Sequence, residues 1–196
     1  IVNAAMLARA DSPPAHPWLA ASDCPVLVNV GRLAPQKDQA TLLEAFALVR
    51  ERRPARLLIF GEGSERPRLE ALRRTLDLEA DVELPGATDN PYAAMRRASL
   101  FVLSSRFEGL PTVLVEALAC GCPVVSTNCP SGPAEILDDG RHGTLVEPQN
   151  PAALAAGILR SLDAHWDREA LARRGGEFSF EASLEKYLSM VQSAAA

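Results

Sequence analysis

Short, nearly uninterrupted apolar runs, each followed by a stretch with helical spacing, constrain this chain more than any other feature. Val26–Val30 is broken only by Asn29, and Arg56–Phe60 and Leu100–Leu103 read as further strands. Asp81–Leu84, Pro123–Ser126 and Gly143–Val146 read as shorter ones. Gln39–Arg53 is helix-like, with Leu42, Leu43, Phe46, Ala47 and Val49 on one face. Helices are also expected from Ser64, as N-cap, to about Leu76, over Asp89–Ala98, and from Pro111 onward. Ser131–Leu137 reads as a brief helical turn, and Pro151–Leu162, Arg168–Arg174 and Phe180–Val191 as the last helices. Strands apolar on both faces and alternating with helices describe a parallel sheet covered on both sides. The expected fold class is therefore α/β, a Rossmann-like doubly wound parallel sheet of about six strands. Such sheets bind ligands beyond the carboxyl ends of their strands, so the loops after the first four strands carry the functional question.

At 196 residues, the chain fits one large domain or one domain plus appendages. Ile1–Asp23, rich in Ala and Pro, reads as a lead-in segment on the surface anchored by Trp18, with the domain proper over 24–192 and a frayed tail at Ser193–Ala196. The first residue is Ile rather than Met, and the chain reads as a piece of a longer protein. A net charge of -5 argues against a general nucleic-acid or anionic-membrane binder. No apolar run approaches the roughly 18–20 residues that span a bilayer. Cys24, Cys120, Cys122 and Cys129 lack metal-ligand spacing and read as unpaired thiols of a reducing cytoplasm, with no metal site expected. His16 and His165 lie among polar residues and read as solvated; His142 is a loop residue.

The stretch Ser104–Gly121 gathers the chemistry. Its helix is apolar almost all round, and Glu116 is the only ionisable carboxylate on it. Helical side chains lean toward the amino end, so Glu116 can present its carboxylate beside the helix start. There, unpaired N–H groups and the positive dipole end favour phosphate oxygens. Glu108 stands just ahead of that start. The loop after the first strand, Gly31–Asp38, holds Arg32 and Lys37, which read either as a diphosphate clamp or as surface charges. It is no Walker loop, because no Gly precedes Lys37 and Asp38 stands where Ser or Thr would bind magnesium. Gly61-Glu62-Gly63 after the second strand is a tight turn, and Arg66 at the third fingerprint position argues against NAD. Pro85–Tyr92 after the third strand reads either as a nucleobase loop or as a helix start capped by Asp89 or Asn90. Glu135 reads as structural or as part of the cleft.

Gly31-Arg32 with Lys37-Asp38, Gly61-Glu62-Gly63, and Glu108-Gly109-Leu110-Pro111 with Glu116 in an E-x7-E pattern together resemble glycosyltransferase family 4. The resemblance covers roughly Val26–Val191 and corresponds to the C-terminal, donor-binding half of a GT-B fold. It implies transfer of a sugar from a UDP- or GDP-linked donor to an acceptor hydroxyl, with retention and without a bound metal or other cofactor. It implies that Arg32 and Lys37 bind the diphosphate and stabilise the leaving group, and that Glu108 contacts the donor sugar at the reacting centre. Backbone around Gly109, Leu110 and Thr112 would hold sugar and phosphate oxygens, Glu116 the ribose, and Gly86, Ala87 and Pro91 the base. An N-terminal half would supply the acceptor site for a glycan or lipid-linked sugar. It would also make any membrane contact, at the inner face of a membrane bordering the cytoplasm. Asn3-Ala4, Asn128 and Cys122 depart from the family pattern. The competing readings are a non-catalytic nucleotide-binding module and a GT-B-type sugar-nucleotide epimerase.

Overall fold

The computed structural model describes residues 2–13 and 16–194 of the chain. Six parallel strands form one sheet: β1 Val26–Val30, β2 Arg56–Phe60, β3 Val82–Gly86, β4 Leu100–Leu103, β5 Val124–Thr127 and β6 Thr144–Val146. Their order is β3-β2-β1-β4-β5-β6. Register runs Leu27 to Leu57 on one side of β1 and Leu27 to Leu100 on the other. The order reverses between β1 and β4, and this is the switch point at which such sheets open a crevice. Helices α1 Ala4–Ala10, α2 Pro17–Ala20, α5 Pro91–Arg97, α6 Thr112–Ala119, α7 Pro133–Ile136 and α9 Arg168–Gly176 contribute to one face, where Val28, Leu58, Phe101 and Val124 join Met95, Leu114, Ile136 and Leu171. On the other face, α3 Gln39–Arg50, α4 Arg66–Thr75 and α8 Pro151–Asp163 bury Leu43, Phe46, Leu69, Leu154 and Ile158 against Leu27, Leu57, Val102 and Val125. Helix α10, Phe180–Ala194, follows.

The six-stranded parallel sheet matches the expected fold class. Boundaries differ mostly by one to three residues, the ordinary uncertainty at fraying ends. Helix α3 stops at Arg50 rather than Arg53, Glu65 rather than Ser64 flanks α4, and α10 continues to Ala194. The rest of the expected tail, like Ile1 and Pro14 of the lead-in, lies outside the described residues.

Two corrections carry more weight. The lead-in segment does not merely lie on the surface: Val2, Met6, Ala10 and Leu19 are buried within the sheet's own core. Trp18 packs against that core too, with the Arg56 guanidinium 5.0 Å above its ring. His16, expected to be solvated, is buried and ends in two hydrogen bonds. Its Nδ1 accepts from the Trp18 N–H at 3.2 Å, capping α2, which leaves Nε2 to donate to Glu83 Oε2 at 3.0 Å. A ring capping a helix start and facing a carboxylate is satisfied without water. His165 is exposed as expected, and His142 is half-buried.

Candidate functional site

A cleft of about 360 Å³ opens beyond the carboxyl ends of β1 and β4, lined by Val30, Gly31, Arg32, Gln36, Lys37, Glu108, Leu110, Pro111, Thr112, Val113 and Glu116. A second, more apolar hollow of about 330 Å³ adjoins it through Val30, Gly31 and Arg32, and continues to Phe60, Gly61, Glu62, Ala87 and Thr88. Of the side chains singled out in the sequence, Arg32, Lys37, Glu108, Leu110, Thr112 and Glu116 meet in the first cleft, and Ala87 lines the second. Gly86, Gly109 and Pro91 line neither. Gly86 ends β3, and Pro91 opens α5 behind an Asn90 side chain that accepts from the Ala93 N–H. Tyr92 belongs to α5, with the Arg9 guanidinium 5.6 Å from its ring, so Asn90-Pro91 is a capped helix start. Glu135 is exposed and lies outside both hollows.

The loops after β1 and β4 are stitched to one another. The Arg106 N–H donates to the Gln36 carbonyl at 2.9 Å, and Gln36 Nε2 donates to the Phe107 carbonyl at 2.9 Å. Ser104 Oγ donates to the Lys37 carbonyl at 2.8 Å, and Arg106 pairs with the buried Asp38 carboxylate at 3.0 Å. Gln39, at the start of α3, holds the Arg32 carbonyl at 2.9 Å. Across this seam Lys37 Nζ reaches Glu108 Oε1 at 2.6 Å, with both side chains largely shielded from water. The Ser105 hydroxyl donates to the same oxygen at 2.6 Å. Arg32, by contrast, is exposed, with no carboxylate partner among the described residues.

Pro111 stands just outside α6 rather than within its first turn. Its φ of -72° suits a helix, but its ψ of 80° makes an inverse γ-turn, closed by the Thr112 N–H on the Leu110 carbonyl at 2.8 Å. That amide, expected to face a ligand, is thus already engaged. Gly132 lies directly beneath: with φ at +94°, a Cβ there would stand 2.4 Å from Pro111 Cδ. The loop after β2 approaches just as closely, since a Cβ on Gly61 would meet the Gly31 carbonyl oxygen at 1.9 Å. Only glycine lets these backbones touch. Glu116 leans from α6 into the cleft, and burial raises its pKa above the ordinary carboxylate value. Thiols Cys120 and Cys122 are pushed up to about 12 by burial, which keeps them protonated and unreactive. Among the described residues, no three His, Cys, Asp or Glu side chains gather at one point, and no helix is long and apolar enough to cross a membrane.

Sequence reasoning passed over Ser105, Gln36, Gln39 and Thr127, and took Gly132 only as part of a rigid turn that starts a short helix. The small polar side chains carry no spacing signal of their own; the only available cue was that Gly132 sits between Ser131 and Pro133.

Comparison with known proteins sets this geometry in context. The N-acetylgalactosamine-N,N'-diacetylbacillosaminyl-diphospho-undecaprenol 4-alpha-N-acetylgalactosaminyltransferase of Campylobacter jejuni is 39% identical over 137 residues, 70% of this chain and 37% of that protein. A glycosyltransferase from Rickettsia africae superposes on 98% of this chain and 55% of its own, at a TM-score of 0.83 and 21% identity, a likeness of fold. An S. aureus TarM mutant, solved in complex with fondaparinux, alpha-GlcNAc-glycerol and UDP, superposes on 91% of this chain and 36% of its own, at a TM-score of 0.78 and 26% identity. The chain thus spans between about a third and about half of the length of these relatives. The family profile described as Glycosyl transferases group 1 matches residues 16–178, and the chain belongs to that family of GT-B glycosyltransferases.

Proposed function

We propose that this chain is the donor-binding half of a retaining glycosyltransferase that moves a sugar from a nucleoside-diphosphate sugar to an acceptor hydroxyl. The observation that supports the reading best is the meeting of Arg32, Lys37, Glu108 and Glu116 on one cleft at the switch point between β1 and β4. In this reading the Arg32 fork and the Lys37 ammonium bind the two phosphates. Together with the amino end of α6, they take up the charge that develops as the nucleotide departs. No metal is then required for that role. Glu108 grips the donor sugar, backbone around Gly109 and Leu110 and the Thr112 side chain lie against sugar and phosphate oxygens, and Glu116 accepts from the ribose hydroxyls. The adjoining hollow beside Ala87, with Gly86 and Pro91 behind it, receives the base. The bond from the anomeric carbon to the phosphate oxygen breaks, and the bond to the acceptor oxygen forms on the same face. The acceptor's proton passes to the departing phosphate.

Residues 24–192, with the lead-in helices packed into their core, would form the donor domain. A separate half would supply the acceptor site and any membrane contact, on the cytoplasmic side. The C. jejuni relative, named for a diphospho-undecaprenol-linked acceptor, favours a lipid-linked sugar or another glycan as acceptor. A thermal-shift screen of UDP-, GDP- and ADP-sugars tests the donor reading. A matching donor at a hundredfold over its Kd should raise Tm by about 5–10 °C, and no shift with any of them would contradict it. In an enzyme carrying both halves, a product of inverted anomeric configuration would contradict retention.

A further inference from the structure

Two donors converge on Glu108 Oε1: the Lys37 ammonium and the Ser105 hydroxyl, each at 2.6 Å. Among the described residues Oε2 has only Gln36 Nε2, at 3.5 Å, and is the oxygen left with capacity for a ligand hydroxyl. Ser105 is fully buried and does not line the cleft, so it can reach a ligand only through Glu108. It is itself held from behind. Thr127 Oγ1, fully buried at the end of β5, donates to the Ser105 carbonyl at 2.6 Å. The hydroxyl is therefore presented to Glu108 from just beyond the end of β4, its backbone held by the end of β5.

From this we infer that Ser105 is a positioning residue: it holds the Glu108 carboxylate in its sugar-facing orientation when Lys37 is drawn away by the diphosphate. The inference rests on the proposed donor site. Lys37 is paired with Glu108; a bound diphosphate would compete for the same ammonium, which cannot serve both partners at full strength. Once it turns, Oε1 keeps a partner only if Ser105 supplies it. A buried carboxylate oxygen that loses its donors rotates to find others, and Gln36 Nε2 is the nearest. Such a rotation would take Oε2 away from the sugar and leave the diphosphate contacts intact.

The test is calorimetric titration of the 196-residue chain and its variants with UDP, UDP-N-acetylglucosamine, GDP and GDP-mannose. The pair that binds the unaltered chain is then used throughout. Ser105→Ala should shift the ratio of affinities about tenfold against the nucleotide sugar, with the nucleoside diphosphate changed by less than about twofold. Ser105→Thr, which keeps the hydroxyl, should restore most of that ratio. Thr127→Val should lower it in the same direction by a smaller factor, and decides the matter if Ser105→Ala does not fold. An unchanged ratio in the alanine and valine variants, or equal loss of both ligands, would overturn the positioning role. If the unaltered chain binds none of the four, the donor-site reading fails for UDP- and GDP-linked donors, and the inference with it.

Discussion

Lys37 and Glu108 form an ion pair, Nζ to Oε1 at 2.6 Å, in which the lysine side chain is 17% exposed and the glutamate 6%. The pair joins the loop after β1 to the loop after β4, so the charge on one side of the cleft is neutralised from the other. The ammonium proposed for the diphosphate is thus paired with a carboxylate.

Competition follows from that arrangement. Glu108→Gln keeps the shape but removes the charge that holds Lys37, so binding of a nucleoside diphosphate should tighten about three- to tenfold. Sugar transfer by an enzyme with both halves should fall at least about a hundredfold. Titration calorimetry checks the first and turnover the second. Weaker diphosphate binding in this variant would mean that the pair does not compete with phosphate.

Glu116 gives a pH signature. Burial raises its pKa in the folded state, so within the window between the unfolded and folded values the folded chain binds the additional proton. Its contribution to stability is therefore present at acidic pH and is lost as pH rises through the raised value. Glu116→Gln should raise Tm near neutral pH and remove this component. Melting curves recorded from about pH 7 down to about pH 4 that run parallel for the two proteins would rule the effect out.

His16 ties the lead-in helices to β3 through Glu83 and caps α2. His16→Ala removes both bonds and leaves part of the buried face unpaired, a loss of about 1–3 kcal/mol. Tm should drop by about 3–8 °C. An unchanged melting point would show that the segment is not held there.

Gly132 supports the Glu108–Pro111 turn by contact. Gly132→Ala places a methyl 2.4 Å from Pro111 Cδ at a φ of +94°, so either the turn shifts or the chain loses about 1–3 kcal/mol. Both a lower Tm and weaker nucleotide-sugar binding are expected. Normal values of both would show that the turn has room to move.

The parts of this protein that were legible beforehand are those in which one residue type carries the signal. Arg56–Phe60 and Leu100–Leu103 coincide with β2 and β4 because a strand buried on both faces has no choice but to be apolar throughout. Glu116 stood out because a carboxylate on an otherwise apolar helix has few places to go, and the resemblance to glycosyltransferase family 4 is matched by the family comparison. What stayed hidden depends on pairing at long range. His16 looked solvated because its sequence neighbours are polar, while its partner Glu83 lies 67 residues away. The lead-in looked peripheral because Ala and Pro carry little amphipathic contrast, yet Val2, Met6 and Ala10 are buried. Pro111 is compatible with either a helix or a γ-turn on φ alone, and only its ψ separates them. The Lys37–Glu108 contact, 71 residues apart in sequence, exists because β1 and β4 are neighbours in the sheet.

The cations of the first loop, Arg32 and Lys37, are proposed to clamp two linked phosphates. Titration of UDP and GDP against the unaltered chain, Arg32→Ala and Lys37→Ala measures this most directly. Each substitution should weaken binding of the preferred nucleotide about tenfold or more, the scale of one charge-assisted hydrogen bond. Equal affinity in all three proteins would contradict the clamp.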